Sequence, residues 1–402
     1  MSAANHVSSS NQHNINIPTG LINNGNECFS NSVLQVLSRT DFIHLFLKKY
    51  NTEDIKIISI INKYGLGKVK ADEMSNTIKQ LLDTNIDINN EDKNILNHIA
   101  KHACDIFIYT CFKAIINNLH SRKHKMSSCS TLISVGRAIT ESPGNDTYAH
   151  LFNGEQNDPH EFMTFLLDTM HKAKANKAVI ALPANYENMD PYFKLYFTHI
   201  KTVYQNDFSM FVKNFYYYIL NCIECSKCNK QYLDICSNGI MCVPMPLNWE
   251  SNNNIKLEEC IHEMFKVEGI DYTCANCGNN QNNRIDRKLL TKPKTLIITI
   301  KRYGKIGKIL AKINKMIHYP ETMNLHKYFC GIKMEDYHLY AIINHVGQLG
   351  GGHYYSYVKD YNKEHQYENK WYVCNDANVQ EIPFENVMSS NNAYMLFYHS
   401  NN

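Results

Sequence analysis

The feature that most constrains the fold is a change of hydrophobic period partway along the chain. In the run NSVLQVLSRTDFIHLFLKK the apolar residues Val33, Leu34, Leu37, Phe42, Leu45 and Phe46 recur mostly every three or four positions. That spacing gathers side chains on one buried face of a helix. The stretch from about Met74 to Lys125, including EDKNILNHIAKHACDIFIYTCFKAIINNLH, carries further helical patterns separated by polar Asn/Asp segments. Beyond Tyr204 the pattern changes to short aromatic and β-branched runs, FYYYIL, TLIITI and YHLYAIINHV, bounded by Gly, Asn and Pro, as strands are. Helices first and strands second predict an α+β protein rather than alternating βα units. Residues 1–17 are polar and rich in Ser and Asn, with too little apolar surface to order themselves, so a flexible tail is expected there.

Composition narrows the partners. Hydrophobic residues make up 44% and charged residues 20% of the 402, enough for a sizeable core. The balance of 41 basic against 38 acidic side chains gives no general attraction to nucleic acid or to an anionic membrane. The N-terminus lacks a basic stretch followed by an apolar one, and no segment stays apolar for the ~18 residues of a membrane span. An intracellular location, cytoplasmic or nuclear, is therefore expected. Fourteen cysteines in a reducing compartment read as free thiols, metal ligands or a nucleophile rather than disulfides.

Four of those cysteines form two CxxC turns, Cys225-Ser226-Lys227-Cys228 and Cys274-Ala275-Asn276-Cys277. Four thiolates on two such turns suit tetrahedral zinc, and a closed sulfur shell predicts a structural ion. Cys222 creates an overlapping pair with Cys225, so spacing alone leaves the register open. Cys104, Cys111, Cys129 and Cys330 have no partner spacing and read as core or surface thiols. The basic run His120-Ser121-Arg122-Lys123-His124-Lys125 could attract an acidic partner or serve as a nuclear signal; its plainest reading is a solvated helix end.

The densest chemical signal is the segment from Gly20 to Gln35, GLINNGNECFSNSVLQ. Cys28 stands just before, or in the first turn of, the first amphipathic helix. The positive end of a helix dipole there favours a thiolate, although a cysteine at a helix start is more often simply a small buried residue. Asn23, in a loop flanked by Gly20 and Gly25, could fold back and donate its amide to a developing oxyanion beside the Cys28 N–H. A base for Cys28 need not be near in sequence. His353, between the glycine run Gly350-Gly351-Gly352 and a tyrosine-rich strand, is a candidate. Asn375 or Asp376, after Trp371-Tyr372-Val373-Cys374, could accept from its second nitrogen and set its tautomer.

Together and in this order these segments resemble the ubiquitin-specific protease family. The Cys box is residues 20 to 37 and the His box residues 337 to 379. Between them Gln156-Asn157-Asp158-Pro159-His160-Glu161-Phe162, leading into MTFLLDTM, is similar to the family's Gln-Gln-Asp-x-His-Glu-Phe box. TLIITIKRY and the terminal Ala393-Tyr394-Met395-Leu396-Phe397-Tyr398 are also similar to family motifs. The resemblance covers about residues 18 to 399. It implies one catalytic domain of papain-like α+β fold, with a helical thumb, a β-rich palm, and β fingers pinned by zinc within about 205–300. It favours Cys225, Cys228, Cys274 and Cys277 as the zinc ligands.

By position, the resemblance implies that Cys28 attacks, His353 serves as base and then acid, Asn375 orients His353, and Asn23 completes the oxyanion hole. Asp376 is the second candidate for supporting the histidine or the oxyanion site. Asp158 would meet the arginine-containing tail of ubiquitin, and Gly351 and Gly352 would line a channel narrow enough for a diglycine. Read without the family, Asp158, His160 and Glu161 are a helix N-terminus with favourable acidic charge. The chain departs from the family at Asn375, where many members carry Asp, and at Glu27, where a small hydroxyl residue is usual and a carboxylate could oppose thiolate formation. The implied activity is a thiol-dependent deubiquitinase working as a monomer on ubiquitin and ubiquitinated proteins, with structural zinc and no catalytic cofactor. Two alternatives stay open: a catalytically impaired ubiquitin binder, and a protease for a ubiquitin-like modifier.

Overall fold

The computed structural model describes residues 17–49, 51–84, 87–141, 146–306, 309–330, 335–348, 350–360 and 370–400; the tail expected over 1–17 lies, apart from Ile17, outside them. Helices occupy the first half and strands the second, as the change of period requires. Among the described residues no helix is long and apolar enough to cross a membrane.

Every residue of the helix Cys28–Leu37 is buried, polar ones included. Most of its polar side chains are paired: Ser32 Oγ donates to the Cys28 carbonyl at 2.8 Å and Gln35 Nε2 to the Thr19 carbonyl at 2.7 Å, as buried polar groups usually are, while Gln35 Oε1 has no partner among the described residues. The helix lies along strand Gly351–Asp360 and against helix Pro159–Lys174, where Phe29 and Phe162 meet edge to face with centroids 5.4 Å apart. Helix Pro159–Lys174 begins with proline at its first position and Asp158 as cap, the Asp158 carboxylate accepting from the His160 N–H at 2.8 Å. Both devices are favoured helix starts.

The long helix Asn90–Ser121 is broken at His102, whose φ is −125° and ψ 26°. It ends where Arg122 turns left-handed, with φ of 49°. The basic run is therefore only partly a solvated helix end. His120 reaches the Ser38 carbonyl at 2.6 Å, and Arg122 turns inward to both oxygens of Asp360 at 2.5 and 2.6 Å. Arg39 approaches the same carboxylate at 3.7 Å. Asp360 thus ties the ends of three elements together: the Cys28 helix, the long helix and the strand that carries His353. Removing one partner from a buried ion pair costs about 3–5 kcal/mol because the remaining charge is stranded.

The main sheet has eight strands. Its path runs 378–382, 370–375, 351–360, 337–348, 393–400, 295–300 and 241–243, with Thr322–Met323 added beside the start of 337–348. All pairs are antiparallel except 241–243 with 295–300. Strand Thr295–Ile300 is buried at every position: Ile297 packs with the helices on one side, while Leu296, Ile298 and Ile300 pack with helix Leu257–Phe265 on the other. An uninterrupted apolar run is what a strand covered on both faces needs. A separate four-stranded antiparallel sheet, ordered 231–238, 217–224, 283–289 and 268–270, carries the CxxC turns.

Candidate active site

Cys28 opens its helix and is only 3% exposed. Burial pushes its thiol up, the Tyr354 N–H pulls it down, the Asp376 charge pushes it up again, and the N–H groups of Phe29 and Cys28 itself pull it down. The net shift is upward, so the thiol at rest is held neutral and needs a proton acceptor to become a nucleophile. Of the groups that favour the thiolate, the backbone of Tyr354, one residue beyond His353, acts most strongly. Among the described residues no hydrogen bond joins the Cys28 sulfur to the His353 ring.

His353 stands on strand Gly351–Asp360 with its Nε2 2.6 Å from Asn375 Oδ1. A carboxamide oxygen can only accept, so Nε2 carries the proton and Nδ1 is left as the basic nitrogen. Asp376 is farther from the ring, at 4.0 Å, and is engaged elsewhere. Its Oδ2 accepts from Asn23 Nδ2 at 2.9 Å and its Oδ1 from Asn31 Nδ2 at 2.8 Å. Asp376 adopts φ of 51° in the two-residue turn between strands 370–375 and 378–382, a turn that favours Asn, Asp or Gly. That turn presses on the Cys28 loop: the Leu21 N–H donates to the Asp376 carbonyl at 2.9 Å, and a Cβ on Gly20 would lie 2.3 Å from the Ala377 oxygen.

Asn23 is fixed at both ends of its amide. Its Oδ1 accepts from the N–H groups of Gly25 and Glu27 at 3.0 and 3.1 Å while Nδ2 donates to Asp376, which leaves one N–H of Nδ2 uncommitted. The Glu27 carboxylate accepts from the Asn24 backbone and side chain at 3.1 and 3.2 Å. The carboxylate whose charge bears on the thiol is Asp376.

Asp158 uses its second oxygen to accept from Tyr394 OH at 2.7 Å. Its burial raises its pKa, an effect that Tyr394 and the His160 N–H partly offset. Gly351 and Gly352 differ from one another. A Cβ on Gly351 would meet only Gln156 Oε1, at 3.7 Å, whereas one on Gly352 would lie 2.3 Å from His345 Nε2. Gly352 is thus required by packing on the buried His345, whereas Gly351 is exposed. Gln156 Oε1 accepts from the Gly352 N–H at 2.9 Å.

Sequence reasoning passed over Gln156, Asn31 and the Tyr354 N–H. Asn31 had a usable signal, since an amide three residues after Cys28 falls on the same helix face. Gln156 had its place at the head of the family box but no role assigned to it, and Tyr354 had no signal, because their partners lie far away in the chain.

At the other end of the molecule the sulfurs of Cys225, Cys228, Cys274 and Cys277 all lie within 4.8 Å of one another. The pairs Cys225–Cys277 and Cys228–Cys274 are at 3.6 Å. Tetrahedral zinc with bonds of ~2.3 Å sets sulfurs ~3.8 Å apart, so the four thiols could hold that ion. Cys222 lies back on strand Tyr217–Glu224, outside the cluster. Each knuckle closes on a left-handed residue, Asn229 with φ of 55° and Gly278 with φ of 70°. Tyr232 OH accepts from the Asn276 N–H at 3.0 Å, which directs its own proton to Cys274 Sγ, 3.3 Å away.

Comparison with known proteins adds independent findings. A family model described as "Ubiquitin carboxyl-terminal hydrolase" matches residues 19–398. The chain is 29% identical over 260 residues to "Ubiquitin carboxyl-terminal hydrolase 16" of Arabidopsis thaliana, covering 62% of this chain and 22% of that protein. It is 25% identical over 397 residues to "Ubiquitin carboxyl-terminal hydrolase Usp2" of Drosophila melanogaster, covering 94% and 34%. The chain thus spans about a fifth to a third of these relatives' length. Among solved structures, the SAGA DUB module of Ubp8, Sgf11, Sus1 and Sgf73 bound to monoubiquitin shares the fold with a TM-score of 0.63 at 19% identity, covering 96% of this chain and 69% of that one.

Proposed function

The chain belongs to the ubiquitin carboxyl-terminal hydrolase family, and from that premise we propose that it is a thiol-dependent deubiquitinase that hydrolyses the bond after the C-terminal glycine of ubiquitin. The observation that carries this reading is the hydrogen-bonded set around one buried thiol: His353 oriented by Asn375, and Asn23 held by Asp376 beside Cys28.

The Cys28 thiol gives its proton to His353 Nδ1 once substrate and side chain close up, and the sulfur attacks the glycine carbonyl carbon. Negative charge collects on the carbonyl oxygen, where the free N–H of Asn23 Nδ2 and the Cys28 N–H stabilise it. The carbon–nitrogen bond breaks as the amine takes the proton from His353, leaving a thioester on Cys28. A water then loses a proton to His353, attacks the thioester, and the sulfur leaves to recover its proton. Asn375 supplies orientation without a full charge, as in Cys-His-Asn proteases. Asp158 and Gln156 on one wall and Gly351 on the other receive the extended tail. The charge that bears on the thiol is that of Asp376 rather than Glu27, which speaks against the inactive-binder reading.

The four finger cysteines would hold a structural zinc that pins the tips of the two hairpins. Ubiquitin and ubiquitin-carrying proteins are the partners, and one copy of the chain is the working unit. The test is hydrolysis of a fluorogenic ubiquitin C-terminal amide in reducing, zinc-containing buffer. Turnover by the wild type that disappears in Cys28→Ala supports the reading; a folded wild type with no turnover on ubiquitin, but with turnover on a ubiquitin-like modifier ending in diglycine, replaces the substrate.

A further inference from the structure

We infer that Lys123, His124, Lys125 and the adjoining strand Met126–Ser128 form the docking surface for the polypeptide that leaves, and that this surface selects acidic residues flanking the ubiquitin-bearing lysine. The inference rests on the deubiquitinase reading above.

A chain of hydrogen bonds orders the groups across the cleft. Gln156 bonds to the Gly352 N–H on one flank. Next come His353 with Asn375, then Asp376 with Asn23 and Leu21. Beyond them Gly20–Ile22 pairs in parallel with Met126–Ser128, in the register Gly20 with Met126 and Ile22 with Ser128. A tail that reaches Cys28 from the side of Asp158, Gln156 and Gly351 releases its amine on the opposite flank, where Asn24 Nδ2 meets Ser128 Oγ at 3.5 Å and Gly20–Ile22 pairs with Met126–Ser128.

That flank is open and positively charged. Lys123, His124 and Lys125 are exposed, and their backbone is anchored by Thr19 Oγ1 on the His124 carbonyl and the Gly20 N–H on the Lys125 carbonyl, both at 2.9 Å. The anchoring holds the side chains outward. Among the described residues neither Lys123 nor Lys125 forms an ion pair. The carboxylates closest in the network are already engaged, Glu27 by Asn24 and Asp376 by Asn23 and Asn31. Met126 and Ile22 add exposed apolar surface, 52% and 38% accessible. Among the described residues no third strand pairs with Met126–Ser128, so its outer edge can take an extended segment. Unneutralised lysines beside a free edge call for a partner of opposite charge.

The experiment compares three substrates: a fluorogenic ubiquitin amide with no polypeptide beyond the scissile bond, and ubiquitin isopeptide-linked to a lysine flanked either by Asp and Glu or by Ser and Gly. At low salt the wild type should cut the acidic conjugate about fivefold or more faster in kcat/KM than the neutral one, with the preference fading as salt screens it. The double variant Lys123→Glu, Lys125→Glu should abolish or invert that preference and leave the fluorogenic amide unchanged, which also reports that it is folded. Equal rates on the two conjugates, with the amide turned over normally, would overturn the surface assignment and spare the parent reading. No turnover of any of the three would sink both.

Discussion

The cleft and the finger tip both gather side chains around sulfur, but they are held in opposite ways. The cleft joins residues far apart in the chain: Asn23 and Asp376 are 353 positions apart, Gln156 and Gly352 196. Its geometry depends on the whole core behind it, on the wholly buried helix Cys28–Leu37 and on the Asp360 ion cluster. The finger tip joins two local turns at the end of a thin sheet, one of whose edge strands, Gln231–Asn238, is exposed or half-exposed throughout. A region with little core needs a cross-link, and four thiols suit a metal ion. Long-range packing secures the first site and local coordination the second.

The largest expected effect tests whether the two regions are independent. Chelation of zinc, or Cys228→Ser, should remove metal-binding free energy on the order of 10 kcal/mol. Hydrogen exchange should then show loss of protection over strands 217–224, 231–238 and 283–289 but not over 337–348 and 393–400. Equal loss in the main sheet would mean that fingers and palm are one cooperative unit. Next, Asn23→Ala should lower kcat ~10²–10³-fold, the usual effect of a lost oxyanion donor, with metal content unchanged and the thermal midpoint lowered only by the loss of its bonds to Asp376, Gly25 and Glu27.

Acid should act on the cleft side through His345. Burial, with Lys312 and His353 adding to it, pushes that imidazole down to about 4, whereas an unfolded histidine titrates near ~6.5. The unfolded chain therefore binds the proton first. The stability contributed is fully present above pH ~6.5 and is lost as pH falls through about 4, for a total of roughly 3 kcal/mol. Urea midpoints between pH 7 and 4, read by exchange of strand 337–348, should fall less steeply in His345→Asn. The smallest effect is at the finger tip: Tyr232→Phe should weaken zinc retention against a competing chelator about fivefold, or ~1 kcal/mol, without touching turnover. A change in kcat there would couple the two regions after all.

Much of the molecule is legible from residues alone. The change from helical to strand period marks the two halves because burial of one face imposes a fixed spacing on each kind of element. The CxxC turns announce four thiols because two ligands three positions apart fit one turn. Distances between segments are not legible in this way. Asn375 and Asp376 are adjacent, and both suit a histidine partner; a left-handed Asp376 sends one side chain to His353 and the other to Asn23 and Asn31. Glu27 stands next to the thiol in sequence, yet the carboxylate whose charge bears on the thiol is the distant Asp376.

What the sequence by itself determined is the order of helices and strands, the nucleophile and histidine candidates and, with the family motifs, the candidate metal ligands and the class of chemistry. Each follows from residue type, local spacing or a motif a few residues long. Only the tertiary structure decided the direction of each side chain: Gln156 to Gly352, Asp376 to the Cys28 loop, Arg122 inward to Asp360, and Lys123 and Lys125 outward to solvent. Those directions depend on contacts between segments hundreds of residues apart, and they are set by how the buried faces pack together, which no local pattern records.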